Sequence, residues 1–384
     1  MANLYLFRLG KNAELSIAEI TSLMKMYGAG FSVKHHDEDI LLLELDKKPA
    51  HLERLGGTIK AAEVLDVFEG GIGEINTARY FPGVESRVVY GVSAYGDSQA
   101  GNFEHVSEAL REKLKAERIK ASCIKPMDSE LSHGTIVRKR ASEVMIFQQG
   151  GKTYLGRTVF VHNPFEFQKR DIGKPEQRRE LAIPPRLSRI LINLAGIKSG
   201  TLLDPFCGVG NILQEAGLMG YALLGLDRNS NRIPECRRNL EWAKSTYRAG
   251  FRHKVINGDA ARLAGYYKEG SIDVIATEPY MGPALRKTPN PSKAFRLISG
   301  LKPMYEQALK GMYAVLRPGG RVAIVAPRFH SRSKPTRLGI EALAEKAGFR
   351  VIDPLEGSGI WHERPLTDFG ERHRLIREMH VFEK

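Results

Sequence analysis

The 384 residues predict an α/β protein with a largely parallel sheet in the C-terminal half, preceded by smaller α+β units. Three observations carry this. From Ser199 onward, short apolar strands alternate with helical periodicity, the pattern of βα units that build a parallel sheet. A glycine turn, Gly208-Val209-Gly210, follows the first of those strands. The first seventy residues run in the order β-α-β-β-α-β, a ferredoxin-like arrangement that says little about function by itself.

In chain order, Leu4–Leu9 reads as an apolar strand. Glu14–Tyr27 carries Leu15, Ala18, Leu23, Met26 and Tyr27 at helical spacing and stops at Gly28 and Gly30. Phe31–His35 and Ile40–Leu45 are strands around a polar turn. A short helix opens at Pro49 and ends at Gly56-Gly57, and Ile59–Leu65 is a further strand. This unit is expected to span 1–70. A second unit, 71–162, holds a strand at Arg87–Tyr95 and a helix at His105–Lys120. Later strands are expected at Thr135–Arg138, Glu143–Gln148 and Thr153–Val161. The helix is basic, but Glu108, Glu112 and Glu117 are interleaved, so a solvated face is the simpler reading than an RNA surface.

A proline-rich linker is expected at 163–185, with seven Lys/Arg and three Asp/Glu between Lys169 and Arg189. The C-terminal domain, 186–384, opens with a helix at Arg186–Ala195, whose Leu187, Ile190, Leu191 and Leu194 share a face. Its strands are Thr201–Asp204, Ala222–Asp227, His253–Ile256, Ile272–Thr277 and Arg321–Pro327, with two late ones near Arg350–Ile352 and Glu378–Phe382.

Charge narrows the partner. Lys and Arg number 58 against 44 Asp and Glu, a formal net charge of +14, which favours a polyanion over a merely basic soluble protein. Three cysteines without CxxC spacing indicate neither a zinc site nor a disulfide framework, and fit a reducing, cytoplasmic setting. No apolar run approaches the roughly 18 residues of a membrane span, and none suits a signal peptide.

The ligand motif is Thr201-Leu-Leu-Asp-Pro-Phe-Cys-Gly-Val-Gly-Asn211. Gly208 and Gly210 let the backbone turn tightly against a ligand. A dinucleotide fingerprint would need glycine where Leu213 stands, and the carboxylate of Asp204 repels phosphate. Asp227 ends the second strand, 23 residues after Asp204, where it suits ribose hydroxyls; Asp259 ends the third, where it suits an adenine edge. Each Asp alone could merely cap the following helix. Three in series at the carboxyl ends of neighbouring strands favour a cationic nucleoside, S-adenosylmethionine, over NAD. The residues expected around it are Asp204, Pro205, Phe206, Cys207, Gly208, Gly210, Asn211, Asp227, Arg228, Asp259 and Ala260. Cys207 is expected to pack rather than react.

DPFCGVG at 204–210 resembles the first motif of the amino-methyltransferases that modify guanine N2 in RNA. PPRLSRILINLAG at 184–196 is similar to the preceding segment of the tRNA guanosine-10 methyltransferases, and LRPGGRVAIVAP at 316–327 to the fifth-strand region of the class I methyltransferase fold. The resemblance covers most of 163–384. It implies a Rossmann-like, seven-stranded class I domain and, more loosely over 1–162, a ferredoxin-like region followed by a THUMP-like RNA-binding domain. It further implies S-adenosylmethionine as cofactor, tRNA as partner, and in some members a small activating partner protein; the absence of a long apolar run is what predicts no membrane partner.

Thr277-Glu278-Pro279-Tyr280 follows the fourth strand, where the family holds Asp or Asn, two prolines and an aromatic residue. An exocyclic purine amine is a poor nucleophile because its lone pair is delocalised. A carboxylate and a carbonyl that accept its hydrogens favour a pyramidal nitrogen, and an aromatic ring stacks on a base swung out of its helix. One proline is missing here and Glu278 occupies the acidic slot. Three readings of Glu278 stay open: it replaces Asp directly, serves a different base, or marks lost catalysis; Tyr280 also has a plain reading as a core aromatic. Arg286, Lys287, Arg328, Arg332 and Lys334 are candidate phosphate contacts, against ordinary loop solvation. The expected reaction is methylation of guanosine N2 in tRNA without a metal. The alternatives are an amino-methyltransferase of rRNA or DNA, and a catalytically impaired RNA-binding protein.

Overall fold

A computed structural model describes every residue except 1, 2, 70, 71, 98, 127, 178–182, 284, 286, 331–334 and 369–374. The chain folds into two compact units. Residues 1–13, 29–53 and 58–166 form the first; 14–28, 54–57 and 167–384 form the second.

The first unit is built on strands β1 (Asn3–Arg8), β2 (Phe31–His36), β3 (Ile40–Leu45), β4 (Lys60–Glu69), β5 (Arg87–Gly96), β6 (Lys120–Ile124), β7 (Ser142–Gln149) and β8 (Lys152–Val161). Helix α1 (Ala13–Met26) falls almost wholly in the second unit, and α2 (Thr77–Tyr80), α3 (Gln99–Ala116) and α4 (His133–Lys139) follow it in the chain. The eight strands make one sheet in the order β2-β3-β1-β4-β8-β7-β5-β6. Residues 1–70 and 71–162 thus share a sheet. β4 extends past the expected Leu65 to Glu69, and its added residues pair with β8 down to Glu69↔Lys152.

The structure departs from other local expectations. Thr135–Arg138 is helical, not extended: the Ser132 hydroxyl accepts from the Thr135 N–H at 3.2 Å, and Arg140 closes the helix in the left-handed region. The helix expected to reach Lys120 stops at Ala116, Arg118 turns left-handed (φ 61°), and Lys120 opens β6. β6 is almost wholly exposed, so no apolar alternation announces it. The expected linker contains helix α5 (Pro164–Ile172). Asn163-Pro164 stands at the start of that expected linker, yet the Asn163 side-chain Oδ1 accepts from the N–H of Phe165 at 3.1 Å and of Glu166 at 3.3 Å, with proline in the first turn.

The second unit adds helices α6 (Pro185–Leu194), α7 (Asn211–Leu218), α8 (Arg232–Tyr247), α9 (Pro291–Val315) and α10 (Ile340–Ala347). Its strands are β9 (Thr201–Asp204), β10 (Ala222–Asp227), β11 (His253–Asn257), β12 (Ile272–Thr277), β13 (Leu316–Phe329), β14 (Thr336–Arg337), β15 (Arg350–Ile352), β16 (Leu366–Asp368) and β17 (Leu375–Glu383). The sheet order is β11-β10-β9-β12-β13-β17-β15, with β14 and β16 as short additions on β13 and β17. β9 to β13 run parallel, whereas β17 lies antiparallel between β13 and β15.

One face of this sheet buries Leu203, Ile275, Val322 and Ile324 against Ile298, Leu301, Tyr305, Leu309 and Met312 of α9. These are apolar residues spaced three or four apart on the helix, so one stripe of α9 fills the core. The strand order reverses between β9 and β12, because the chain leaves β9 toward β10 and β11 and then returns to the other side. Ligands of open α/β sheets bind outside the carboxyl ends of the strands at such a switch point.

Candidate active site

Asp204 ends β9 and Glu278 directly follows β12, so the switch point sets two acids on either side of one crevice. A cleft opens there, lined by Ile183, Asp204, Phe206, Cys207, Gly208, Val209, Asn211, Ile212, Arg232 and Glu278.

The glycine turn shapes its floor. Gly210 has φ +89° as the residue before α7, and a Cβ there would meet the Cys236 sulfur at 2.7 Å. Gly208 has φ +50°, but nothing lies within 4 Å of where its Cβ would be. Here the missing side chain leaves room above the loop, which a ligand can fill. The loop is held from below: the Gly208 N–H donates to Asp227 Oδ2 at 2.9 Å, and Asn239 Nδ2 donates to the Val209 carbonyl at 2.8 Å.

Asp204 is 2% exposed, and its Oδ1 accepts from the Thr277 hydroxyl at 2.6 Å and the Phe206 N–H at 3.1 Å. Its pKa is raised to about 7, by burial first and with Asp227 and Glu278 adding to the rise, against those two bonds. A buried acid facing a cleft, with its neighbouring charges also negative, favours a cationic ligand. Glu278 is raised too, by burial first and then by Asp368, while Arg377 opposes. Its Oε1 accepts from Arg377 Nε at 2.6 Å, with Glu278 and Arg377 side chains 7% and 17% exposed. Thr277 is buried and spent on Asp204; Pro279 is buried. Tyr280 is 53% exposed, which disposes of the core-aromatic reading.

Of the residues expected around the ligand, Asp204, Phe206, Cys207, Gly208 and Asn211 meet on the cleft wall together with Glu278. Pro205, Gly210, Asp227, Arg228, Asp259, Ala260, Thr277, Pro279 and Tyr280 do not line it. Asp227 Oδ1 also accepts from the Asn229 N–H at 2.8 Å, and Asp259 Oδ1 from the Ala261 N–H at 2.9 Å, so both acids perform local capping. Arg228 is exposed and Ala260 buried. The Cys207 thiol, hydrogen-bonded with Cys236 and buried, is pushed well above its usual range, which suits packing rather than attack. Lys287 is exposed. Arg328 is half-buried, 3.9 Å from Glu378. Arg286, Arg332 and Lys334 lie outside the described residues. No group of acidic, His and Cys side chains suited to a metal occurs among the described residues.

Ile183, Val209, Ile212 and Arg232 also line the cleft and were not singled out from the sequence. Val209 and Ile212 sit inside or beside the glycine motif and were within reach. Arg232 begins α8, five residues after Asp227, and pairs with Glu235 at 2.7 Å. Lys174 is buried with its ammonium on Asn211 Oδ1, while Asn211 Nδ2 donates to the Ile183 carbonyl at 2.7 Å. Together these fix the wall formed by the start of α7.

The second unit therefore has the Rossmann-like fold of the class I methyltransferases, with its cleft at the switch point. A family model described as UPF0020, RMKL-like, methyltransferase domain matches residues 175–352. The chain is 32% identical over 206 residues to a tRNA (guanine(10)-N2)-dimethyltransferase of Pyrococcus abyssi, covering 53% of this chain and 54% of that protein. It is 34% identical over 89 residues to the tRNA (guanine(10)-N(2))-methyltransferase of Saccharomyces cerevisiae, 22% of this chain and 21% of that one. The matches thus span about half the length of the first relative or less. Among solved structures, TrmN from Thermus thermophilus is similar in fold across 99% of both chains, with a TM-score of 0.50 and 18% identity.

Proposed function

We propose that this protein transfers a methyl group from S-adenosylmethionine to the exocyclic N2 of a guanosine in tRNA, at position 10. The observation that carries the reading is the pairing of Asp204 and Glu278 in one cleft across the switch point of a methyltransferase fold. The Pyrococcus and Saccharomyces relatives, by their names, point to the tRNA guanine. No described helix is long and apolar enough to cross a membrane.

The donor supplies an electrophilic methyl group on a sulfonium. Gly208 leaves room for it, and Asp204 gives the cleft a negative wall at its cationic end. Asp227 supports the glycine loop through the Gly208 N–H rather than lining the cleft itself. Glu278 accepts a hydrogen of the guanine amine and draws the nitrogen toward a pyramidal form. The N–C bond forms as the S–C bond breaks, and the surplus proton leaves the nitrogen through the carboxylate. Pro279 fixes the turn, and exposed Tyr280 stacks on the extruded base. Residues 71–162 act as a THUMP-like RNA-binding region, and Lys287 and Arg328 contact phosphates.

The deciding experiment is methyl transfer from labelled S-adenosylmethionine to unmodified tRNA, ribosomal RNA and duplex DNA in parallel, with nucleoside analysis. N2-methylguanosine in tRNA is expected. Label confined to ribosomal RNA or DNA overturns the substrate. Donor binding without label anywhere makes the protein an RNA-binding relative that has lost catalysis.

The acid in the cleft also gives donor binding a pH dependence. Asp204 holds its proton up to about pH 7 in the free protein. Below that value, binding a cation must expel a proton, so affinity falls as pH falls. Calorimetry should show the donor binding several-fold to about tenfold more tightly at about pH 8 than at about pH 6. Asp204→Asn should bind weakly at both values and lose the slope. A flat wild-type profile would mean that this carboxyl does not sense the donor.

A further inference from the structure

The acidic residue of the cleft carries an extra methylene and lacks one of the neighbouring prolines that stiffen the resembling motif. A longer side chain adds a rotatable bond and moves the carboxylate by more than an ångström, an error that can cost about a hundredfold in rate if nothing corrects it. The correction comes from the far end of the chain. Arg377 lies on β17, paired with Pro327 of β13 on one side and Asp368 of β16 on the other. Its Nε donates to Glu278 Oε1 at 2.6 Å, and its Nη1 stands 3.8 Å from Asp368 Oδ2.

We propose that Arg377 is a positioning residue that clamps Glu278 Oε1, so that Oε2 is presented to the guanine amine in one orientation and as a carboxylate. This rests on the reading of Glu278 as the amine's acceptor. The geometry supports a clamp over a surface ion pair: both side chains are largely excluded from water, where a charge-assisted bond is worth more and loosens less. The bond engages a single carboxylate oxygen, so the second is not consumed by it. A phosphate-binding role fits less well, because two of the guanidinium's nitrogens already face Glu278 and Asp368.

The electrostatics require the same cation. Facing Glu278 are Asp204 of β9, Asp368 of β16, the phenol of Tyr305 on α9, and Arg377. Two of the four are acids and Tyr305 is buried with its pKa raised, so Arg377 is the one positive group among them. Burial and Asp368 push Glu278 toward its protonated form, and Arg377 opposes them. A protonated Glu278 would offer the amine a poorer acceptor. Without the guanidinium, the acid limb of the rate profile must therefore move to higher pH.

The test compares wild type, Arg377→Gln, Arg377→Lys and Glu278→Ala of the full chain, with labelled S-adenosylmethionine and an unmodified tRNA transcript. Donor affinity is measured by calorimetry on each. Arg377→Gln is expected to lower kcat about a hundredfold with donor affinity within about threefold, and to move the acid limb of kcat up by about one pH unit or more. Arg377→Lys keeps the charge but not the planar fork. It should restore the acid limb while recovering kcat only in part, and it carries the test if Arg377→Gln does not fold. An unshifted acid limb in Arg377→Gln, or a shifted one in Arg377→Lys, overturns the clamp. If Glu278→Ala is inactive while Arg377→Gln behaves as wild type, the clamp alone fails. If Glu278→Ala turns over normally, the acceptor assignment fails and takes the clamp with it.

Discussion

Glu278→Ala is expected to lower the single-turnover rate of methyl transfer by about a hundred- to a thousandfold, the usual cost of removing one preorganised group that acts on developing charge. The effect should fall on the chemical step. Glu278 borders the cleft but adjoins β12, whereas the glycine loop and Asp204 adjoin β9, so donor affinity should change little. Alanine also leaves Arg377 mostly buried with Asp368 as its remaining counter-charge, at 3.8 Å. Some loss of stability must follow, and rates should be taken well below the variant's unfolding temperature. Glu278→Gln separates acceptor from charge. Its amide oxygen can still accept a hydrogen of the guanine amine, but it cannot take the proton that leaves the nitrogen. It should be faster than Glu278→Ala and slower than wild type. Normal turnover in Glu278→Ala would place the acceptor elsewhere.

The parallel sheet and the glycine loop were legible in the sequence because their signals are local. β9 and β12 are short apolar runs with an acid at or beside the end, and each matches the expected span residue for residue. The glycine turn announced itself by composition, and Gly208 does leave open space. What stayed hidden is what topology brings together. Arg377 meets Glu278 across 99 residues of sequence, through a strand inserted antiparallel between β13 and β15, and no motif marks the pair. The roles of Asp227 and Asp259 were open for the opposite reason. An acid at a strand tip can serve a ligand or cap the next turn, and here both have capping bonds. The start of α5 and the helical Thr135–Arg138 stayed hidden because the side chains of Asn163 and Ser132 cap helices over stretches that, in sequence, look like linker and strand.

Glu215→Ala is expected to destabilise the methyltransferase unit by about 3–5 kcal/mol, the cost of breaking a buried ion pair from one side. In a unit of this size that corresponds to a fall of roughly 6–20 °C in its thermal midpoint. Glu215 stands on α7 and is fully buried. Its Oε1 accepts from Arg170 Nε of α5 at 2.6 Å, and its Oε2 from Arg189 Nε of α6 at 2.7 Å. One carboxylate thus joins three helices and pairs with two cations that are 5% and 11% exposed. Phe167 lies under both guanidiniums, 4.2 Å from Arg170 and 5.1 Å from Arg189, so neither can swing to water without giving up that ring. Glu215→Gln keeps the volume and one acceptor oxygen and should lose less. Replacing all three, with Glu215→Leu, Arg170→Met and Arg189→Met, removes the charges together and should recover much of the loss, because no ion is then left unpaired in the dry interior. Calorimetry of the unfolding transition that S-adenosylmethionine raises measures the series on the correct unit. A midpoint for Glu215→Ala within about 2 °C of wild type would show that dehydrating these three charges already costs nearly as much as their attraction returns.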